Sequence, residues 1–247
     1  MTYHTAQIAQ LVGVHPNTVR VYEAMGLLPP VPRAPNGYRL FDDTHLAQLR
    51  LLRAAFRAEI VSNRLRQEAV EVVRTAAAGD LAGARGRAQC YLERLREERA
   101  QAEEAIGVAA DLSERGPAPD GDAVCRGRSE AAAALGVTSD VLRDWERNGL
   151  IQVPRPSGGR KCYSAQAMVR LKMIRTLRNA HYSMMSILRM LNRLDAGETD
   201  LRRVIDTPGA DEDIVSAADR YITALGDAEI HALEVLDILD ALSVRPG

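Results

Sequence analysis

The sequence predicts a mainly α-helical protein built from one unit used twice. Each unit is a helix-turn-helix with a hairpin wing, followed by a long coil-forming helix. Three observations predict this. The chain repeats itself at a spacing of 123 residues, so that "TVRVYEAMGLL" (18–28) returns as "VLRDWERNGLI" (141–151). The composition, 46% hydrophobic and 26% charged, suits a globular protein, and its Ala, Leu, Arg and Glu content favours helix. Two long charged segments each carry a narrow apolar stripe, which asks for a partner helix.

The elements follow from punctuation. In residues 5–12, Ile8, Leu11 and Val12 stand at helical spacing and stop at Gly13, a residue suited to a left-handed turn. His15-Pro16 opens the next helix with proline in the first turn, and Val19, Tyr22 and Met25 form its inward side. Two short helices joined at a glycine make a helix-turn-helix. "PPVPRAPNGYRLF" (29–41) holds prolines and an Asn-Gly turn, so it reads as a small hairpin. Asp42-Asp43 then caps a helix bearing Leu46, Leu49, Leu52 and Phe56. The second copy repeats the order, with "VPRPSGGRKCYS" (153–164) as wing and Met168, Leu171, Ile174 and Leu177 on the helix after it.

"AAAGDL" (76–81) and "DAGETDL" (195–201) precede the two long helices. The first stripe, within about 85–113, is Tyr91, Leu92, Leu95, Ala102, Ile106, Ala109 and Leu112. The second, within about 211–243, is Ile214, Ala218, Tyr221, Ile222, Leu225, Leu233, Leu236 and Leu239. "SERGPAPDGDA" (113–123) ends the first helix and links the copies. The expected divisions are 1–78 and 126–200 for the winged domains, 79–113 and 201–247 for the coil helices, and 114–125 for the linker.

Charge is partitioned. The net charge of −1 divides into +2 over residues 1–60, −3 over 61–125, +9 over 126–193 and −9 over 194–247. A basic block beside an acidic one suggests a polyanion partner for the basic part. No apolar run approaches the roughly 18 residues of a membrane span, so no membrane partner is expected. The N-terminus has no signal-peptide pattern, and the cytoplasm is the expected address. The three cysteines, Cys90, Cys125 and Cys162, are too few and scattered for a disulfide framework, and Cys162 reads as an apolar wing residue.

Taken together, "QIAQLVGVHPNTVRVYEAMGLLPP" (7–30), "GYRLFDD" (37–43) and "LAQLRLLRAA" (46–55) resemble the MerR family of bacterial transcription regulators, and the resemblance covers nearly the whole chain as two units. It implies a winged helix that binds promoter DNA, paired through an antiparallel coiled coil and working beside RNA polymerase, in a bacterial, nucleoid-associated setting. The helix opened by Pro16 would enter the major groove, with Asn17, Thr18 and Val21 near base edges and His15 also among the DNA-binding residues. Arg20, Tyr22 and the wing residues Arg33, Tyr38 and Arg39 would hold phosphates, which position the protein without reading sequence. Carried onto the second copy, the same roles fall to Thr138, Asp140, Arg143, Trp145, Arg147, Arg155, Arg160 and Lys161. Plain core packing is an equal alternative for Trp145. The copies depart from the family where they read Val21 and Asp144 before the aromatic, and at "EIVS" (59–62) and "HYSM" (181–184). Because the two recognition helices differ, the expected operator has unlike halves.

In the family two chains pair. Here a linker of roughly 40 Å reach joins the copies, so one chain is expected to act as an intramolecular pseudo-dimer. Charge agrees: residues 211–243 hold one Arg against nine acidic residues, whereas 85–113 hold five Arg against six, so unlike pairing avoids the worst repulsion. A homodimer with four winged helices is the competing arrangement.

No metal site is expected, because Cys90 and Cys125 lack a third thiol or a histidine at ligand spacing. No cofactor and no enzymatic activity are expected, since no phosphate-binding glycine loop, HExxH or nucleophile motif occurs. A small-molecule effector would find aromatic walls only near Tyr91, Tyr182 and Tyr221. Two other functions fit the fold: a drug-sequestering resistance protein on the same scaffold, and an architectural protein that bends DNA. The basic wings disfavour the first; a footprint over one operator rather than broad coverage would disfavour the second.

Overall fold

Each half of the chain opens with the short helices that its capping residues dictate. The computed structural model describes residues 1–57, 63–116, 125–154, 159, 161–207 and 220–243. In the first half these are α1 (Thr5–Val12), α2 (Pro16–Ala24), α3 (Asp43–Ala55), α4 (Asn63–Ala77) and the long α5 (Leu81–Arg115). The second half has α6 (Arg128–Leu135), α7 (Ser139–Arg147), α8 (Ala165–Asn179), α9 (Met184–Asp195), α10 (Leu201–Asp206) and α11 (Tyr221–Ser243). Gly13 and Gly136 both take φ near +65°, at 67° and 63°, and end α1 and α6 in the left-handed conformation that glycine adopts without a Cβ clash. Asp42 caps α3 by accepting from the N–H groups of Thr44 and His45, and Ser164 caps α8 by accepting from that of Ala167.

The chain divides into two compact units that do not coincide with its halves. One comprises Met1–Glu97 with Ala224–Gly247, the other Glu98–Thr223. In the first unit the core is Ile8, Ala9, Val19, Leu28, Phe41, Leu46 and Leu49, with Tyr22 and Val31 packed on it. The buried Gln48 amide donates to the carbonyls of Leu27 (3.1 Å) and Val73 (2.8 Å), tying the end of the helix-turn-helix to α4. Helix α11 completes this unit. Its Ala228, Ala232 and Val235 face Ala55, Ala69, Val72 and Tyr91. Arg85 pairs with Asp240 at 2.6 Å and Arg96 with Glu229 at 3.8 Å, so within this unit α11 runs antiparallel to α5. A further pair joins Arg57 to Glu234 at 3.2 Å.

The second unit is completed in the complementary way, by the C-terminal part of α5. The buried Tyr182 hydroxyl donates to the Ala102 carbonyl at 3.2 Å, and its ring meets that of Tyr221 edge-on at 5.4 Å. The Tyr221 hydroxyl donates to Glu98 at 3.2 Å, and Arg202 pairs with Glu103 at 2.8 Å. Asp206 accepts from the N–H groups of Ile222 and Thr223, capping the start of α11. Burial pushes the hydroxyl pKa of Tyr182 and of Tyr221 well above the ordinary tyrosine value, so both stay protonated donors.

Several sequence expectations are corrected. Leu11, Met25 and Leu233 are exposed rather than inward, because tight packing of α1, α2 and α11 uses only the narrower stripe centred on Ile8, Val19 and Leu236. Helix α5 runs past Ser113 to Arg115. No strand forms in the wings among the described residues; single bridges do, Tyr3 with Phe41, Arg33 with Arg39 and Arg126 with Tyr163. Cys125 and Cys162 are joined in a disulfide, whereas the sequence reading expects no disulfide and takes Cys162 as an apolar wing residue. The reason is topological: the Arg126–Tyr163 bridge brings these distant stretches side by side. The expected stripe residues Ile214 and Ala218, the stretch "EIVS" and linker residues 117–124 lie outside the described residues.

Candidate nucleic-acid interface

The first half presents one face of α2. Burial of Val19 turns Asn17, Arg20, Val21 and Ala24 outward, one helical turn apart, with Val21 45% exposed. His15 sits at the helix start as the N-cap, its Nδ1 accepting from the Asn17 N–H at 3.2 Å. Arg20 makes no ion pair among the described residues, so its guanidinium is available to a phosphate. Tyr22 is half-buried against the core.

The wing is fastened to this helix by one carboxylate. Glu23 accepts from Arg33 at 3.1 Å and from Arg39 at 2.5 Å. Arg33 and Arg39 stand on the two arms of the hairpin as bridge partners. Glu23 therefore fixes the wing's angle to the recognition helix and offsets part of its charge. The Tyr38 ring, at the tip, is 66% exposed.

The second half has the same plan with different charges. Burial of Leu142 and Trp145 turns Asp140, Arg143, Asp144 and Arg147 outward on α7. These residues pair along the helix, Asp140 with Arg143 at 2.5 Å and Asp144 with Arg147 at 3.4 Å. Thr138 is the N-cap, accepting from the Val141 N–H at 3.3 Å. Trp145, expected at the DNA, is only 4% exposed and belongs to the core. Its indole lies on the face of α7 opposite the Asp–Arg pairs, where burial of so large an apolar surface outweighs exposure.

Glu146 is the second latch and is the more heavily engaged. It accepts from Arg128 at 3.0 Å, from Lys161 and from the Tyr163 hydroxyl. Burial acts to raise its pKa, but these three donors outweigh it and hold the carboxyl below the ordinary glutamate range. Burial and the neighbouring Glu146 carboxylate push the Tyr163 hydroxyl pKa up. Arg155 and Arg160, predicted to touch DNA, lie outside the described residues.

The latch carboxylates were absent from the sequence-derived site. The signal was present: an aromatic followed by Glu in both copies, with a basic residue in each wing. Its meaning needed the hairpin to fold back onto the helix. The aromatic residues predicted for an effector do not gather in one place. Tyr182 and Tyr221 pair in the second unit, while Tyr91 lines an open groove of about 740 Å³ in the first, with Arg64, Arg87 and Arg94. Among the described residues no group of His, Cys, Asp and Glu could hold a metal. None of the described helices is long and apolar enough to cross a membrane.

Comparison with known proteins bears on both halves. The MerR family regulatory protein model matches residues 4–41, and the MerR HTH family regulatory protein model matches residues 128–194. The chain is 48% identical over 58 residues to the HTH-type transcriptional regulator MerD of Acinetobacter calcoaceticus, covering 24% of this chain and 48% of that protein. It is 40% identical over 50 residues to the HTH-type transcriptional regulator CueR of Escherichia coli O157:H7, covering 20% and 37% respectively. The matches thus span about half the length, or less, of these relatives. No solved structure matches the chain. With one match of this kind in each copy of its internal repeat, the chain carries two MerR-like units.

Proposed function

We propose that the protein is a promoter-binding transcription regulator in which one chain does the work of a dimer. The observation that carries this reading is the repeated pairing of an exposed recognition helix with a wing latched by a glutamate, Glu23 in one half and Glu146 in the other. Two such elements on one chain can contact two half-sites of one operator. Asn17 and Val21 in the first half, and Asp140 and Asp144 in the second, are chemically unlike at base edges, so the operator halves differ. Each compact unit is completed by a helix from the other half of the chain, which supports a monomeric pseudo-dimer over a homodimer. On this reading the protein acts in the cytoplasm, distorts promoter DNA and works beside RNA polymerase, with a small-molecule effector as a further partner class.

The test is molar mass in solution by light scattering, alone and with a DNA fragment upstream of its own gene. One 27.0 kDa chain per operator fragment supports the reading. Two chains per fragment overturn the pseudo-dimer, and equal affinity for the operator and for unrelated DNA overturns sequence-specific regulation.

A further inference from the structure

The linker-side segment and the wing of the second half are held together by something the first half lacks. Cys125 and Cys162 are disulfide-bonded, with Cα atoms 5.2 Å apart and a sequence separation of 37. The bridge sits at the edge of the Arg126–Tyr163 pairing, where the N–H of each residue donates to the other's carbonyl at 3.1 and 3.0 Å. The corresponding pairing in the first half, Tyr3 with Phe41, has Thr2 and Leu40 beside it and no crosslink. The loop closed by the sulfurs contains α6, α7 and the wing, the whole proposed reading head. Cys162 directly adjoins Lys161 and Tyr163, both donors to the Glu146 latch. Cys125 is exposed, so small oxidants and reductants reach the pair, and Cys90 is the one free cysteine.

We propose that Cys125 and Cys162 form a reversible oxidation site that sets how firmly the second wing is held, with a peroxide as the oxidant. One thiolate attacks a peroxide oxygen and breaks the O–O bond, giving a sulfenic acid and, after protonation, water. The second thiol displaces the sulfenic oxygen as a second water and forms the S–S bond. Two thiols and one hydrogen peroxide thus yield one disulfide and two waters, and a dithiol reductant returns both thiols. A DNA-binding protein in a reducing compartment has little use for a static crosslink; those that occur there are commonly redox-sensing. The effect on DNA rests on the proposed function: the oxidised form holds the wing in its binding geometry and binds more tightly.

The experiment compares the full chain reduced with dithiothreitol and then treated with stoichiometric hydrogen peroxide. Free thiols under denaturing conditions should fall from three to one, with peptide mapping joining Cys125 to Cys162. The oxidised protein should melt several degrees higher and bind the promoter fragment about fivefold more tightly than the reduced protein. C125S and C162S should each bind like reduced wild type whatever the oxidant. Three persisting thiols, or a crosslink through Cys90, would overturn the site. Equal melting temperature and equal DNA affinity in the two redox forms would overturn its role in holding the wing. If neither form binds promoter DNA, the regulator reading fails, while the thiol count and the melting temperature still decide the site.

Discussion

The two winged helices share a plan and differ in how they handle charge. On α2 the outward face carries Asn17, Arg20 and Val21, with Arg20 unpaired among the described residues. On α7 each outward arginine is met by an aspartate of the same helix, so the face is neutral overall. The latches differ in the opposite sense. Glu23 holds two arginines and is partly exposed; Glu146 holds an arginine, a lysine and a tyrosine hydroxyl and is nearly enclosed. The first half thus leaves an arginine on its helix face without an ion pair among the described residues, whereas the second neutralises its face from within. A basic block in the sequence is therefore not by itself a DNA-binding surface: much of the charge in residues 126–193 is spent on internal pairs such as Arg128–Glu146 and Arg170–Asp195.

Four outcomes would sharpen or break this contrast. The largest concerns the aligned aromatics. Trp145→Ala should destabilise by about 3–5 kcal/mol because it empties a core position, whereas Tyr22→Ala, half-buried, should cost clearly less. Urea denaturation of both variants measures this, and equal losses would remove the distinction between the two aromatics. Next come the latches. Glu146→Ala should cost about 2 kcal/mol, since it strands three donors, and Glu23→Ala about 1 kcal/mol, since Arg33 can turn to water. A larger loss at Glu23 would reverse the ranking.

The third outcome is read on DNA. Arg20→Ala should weaken promoter binding about tenfold and flatten its salt dependence, while Arg143→Ala should change it little because Asp140 already neutralises that arginine. Fluorescence anisotropy over a salt series reports both, and equal effects would mean that the Asp–Arg pairs open on binding. The smallest effect is on pH. The folded Glu146 pKa lies below its unfolded value, so its contribution is present above the ordinary glutamate range and is lost as pH falls through the folded value. Between about pH 5 and 3 the unfolding midpoint of wild type should drop more steeply than that of Glu146→Gln. Parallel profiles would show that the latch contributes nothing to acid stability.

Much of the local structure was legible because short-range chemistry enforces it. Pro16 in the first turn of α2, Asp42 as a cap and the glycines at 13 and 136 each act within a few residues, so their effects can be read directly from the chain. The candidate DNA face was legible in part. Asn17, Arg20 and Val21 project outward because Val19 is apolar and three residues separate helical neighbours. His15 and Thr138 were placed near DNA but also serve as helix caps, a duty visible only once the N–H partners are in position.

By itself the sequence determined the repeat, the short helices that open each copy with their caps and glycine stops, and the resemblance of each copy to one family. These rest on spacing and local hydrogen bonding, which tertiary contacts leave unchanged. Only the tertiary structure decided which partner each long helix takes within a unit, which glutamate closes each wing, that Trp145 is core, and that Cys125 meets Cys162. Each of these joins residues far apart in the chain. A stripe, a carboxylate or a thiol has the same local preferences whatever it eventually faces, and it is the folding back of the hairpin and the return of the C-terminal helix that choose its neighbour.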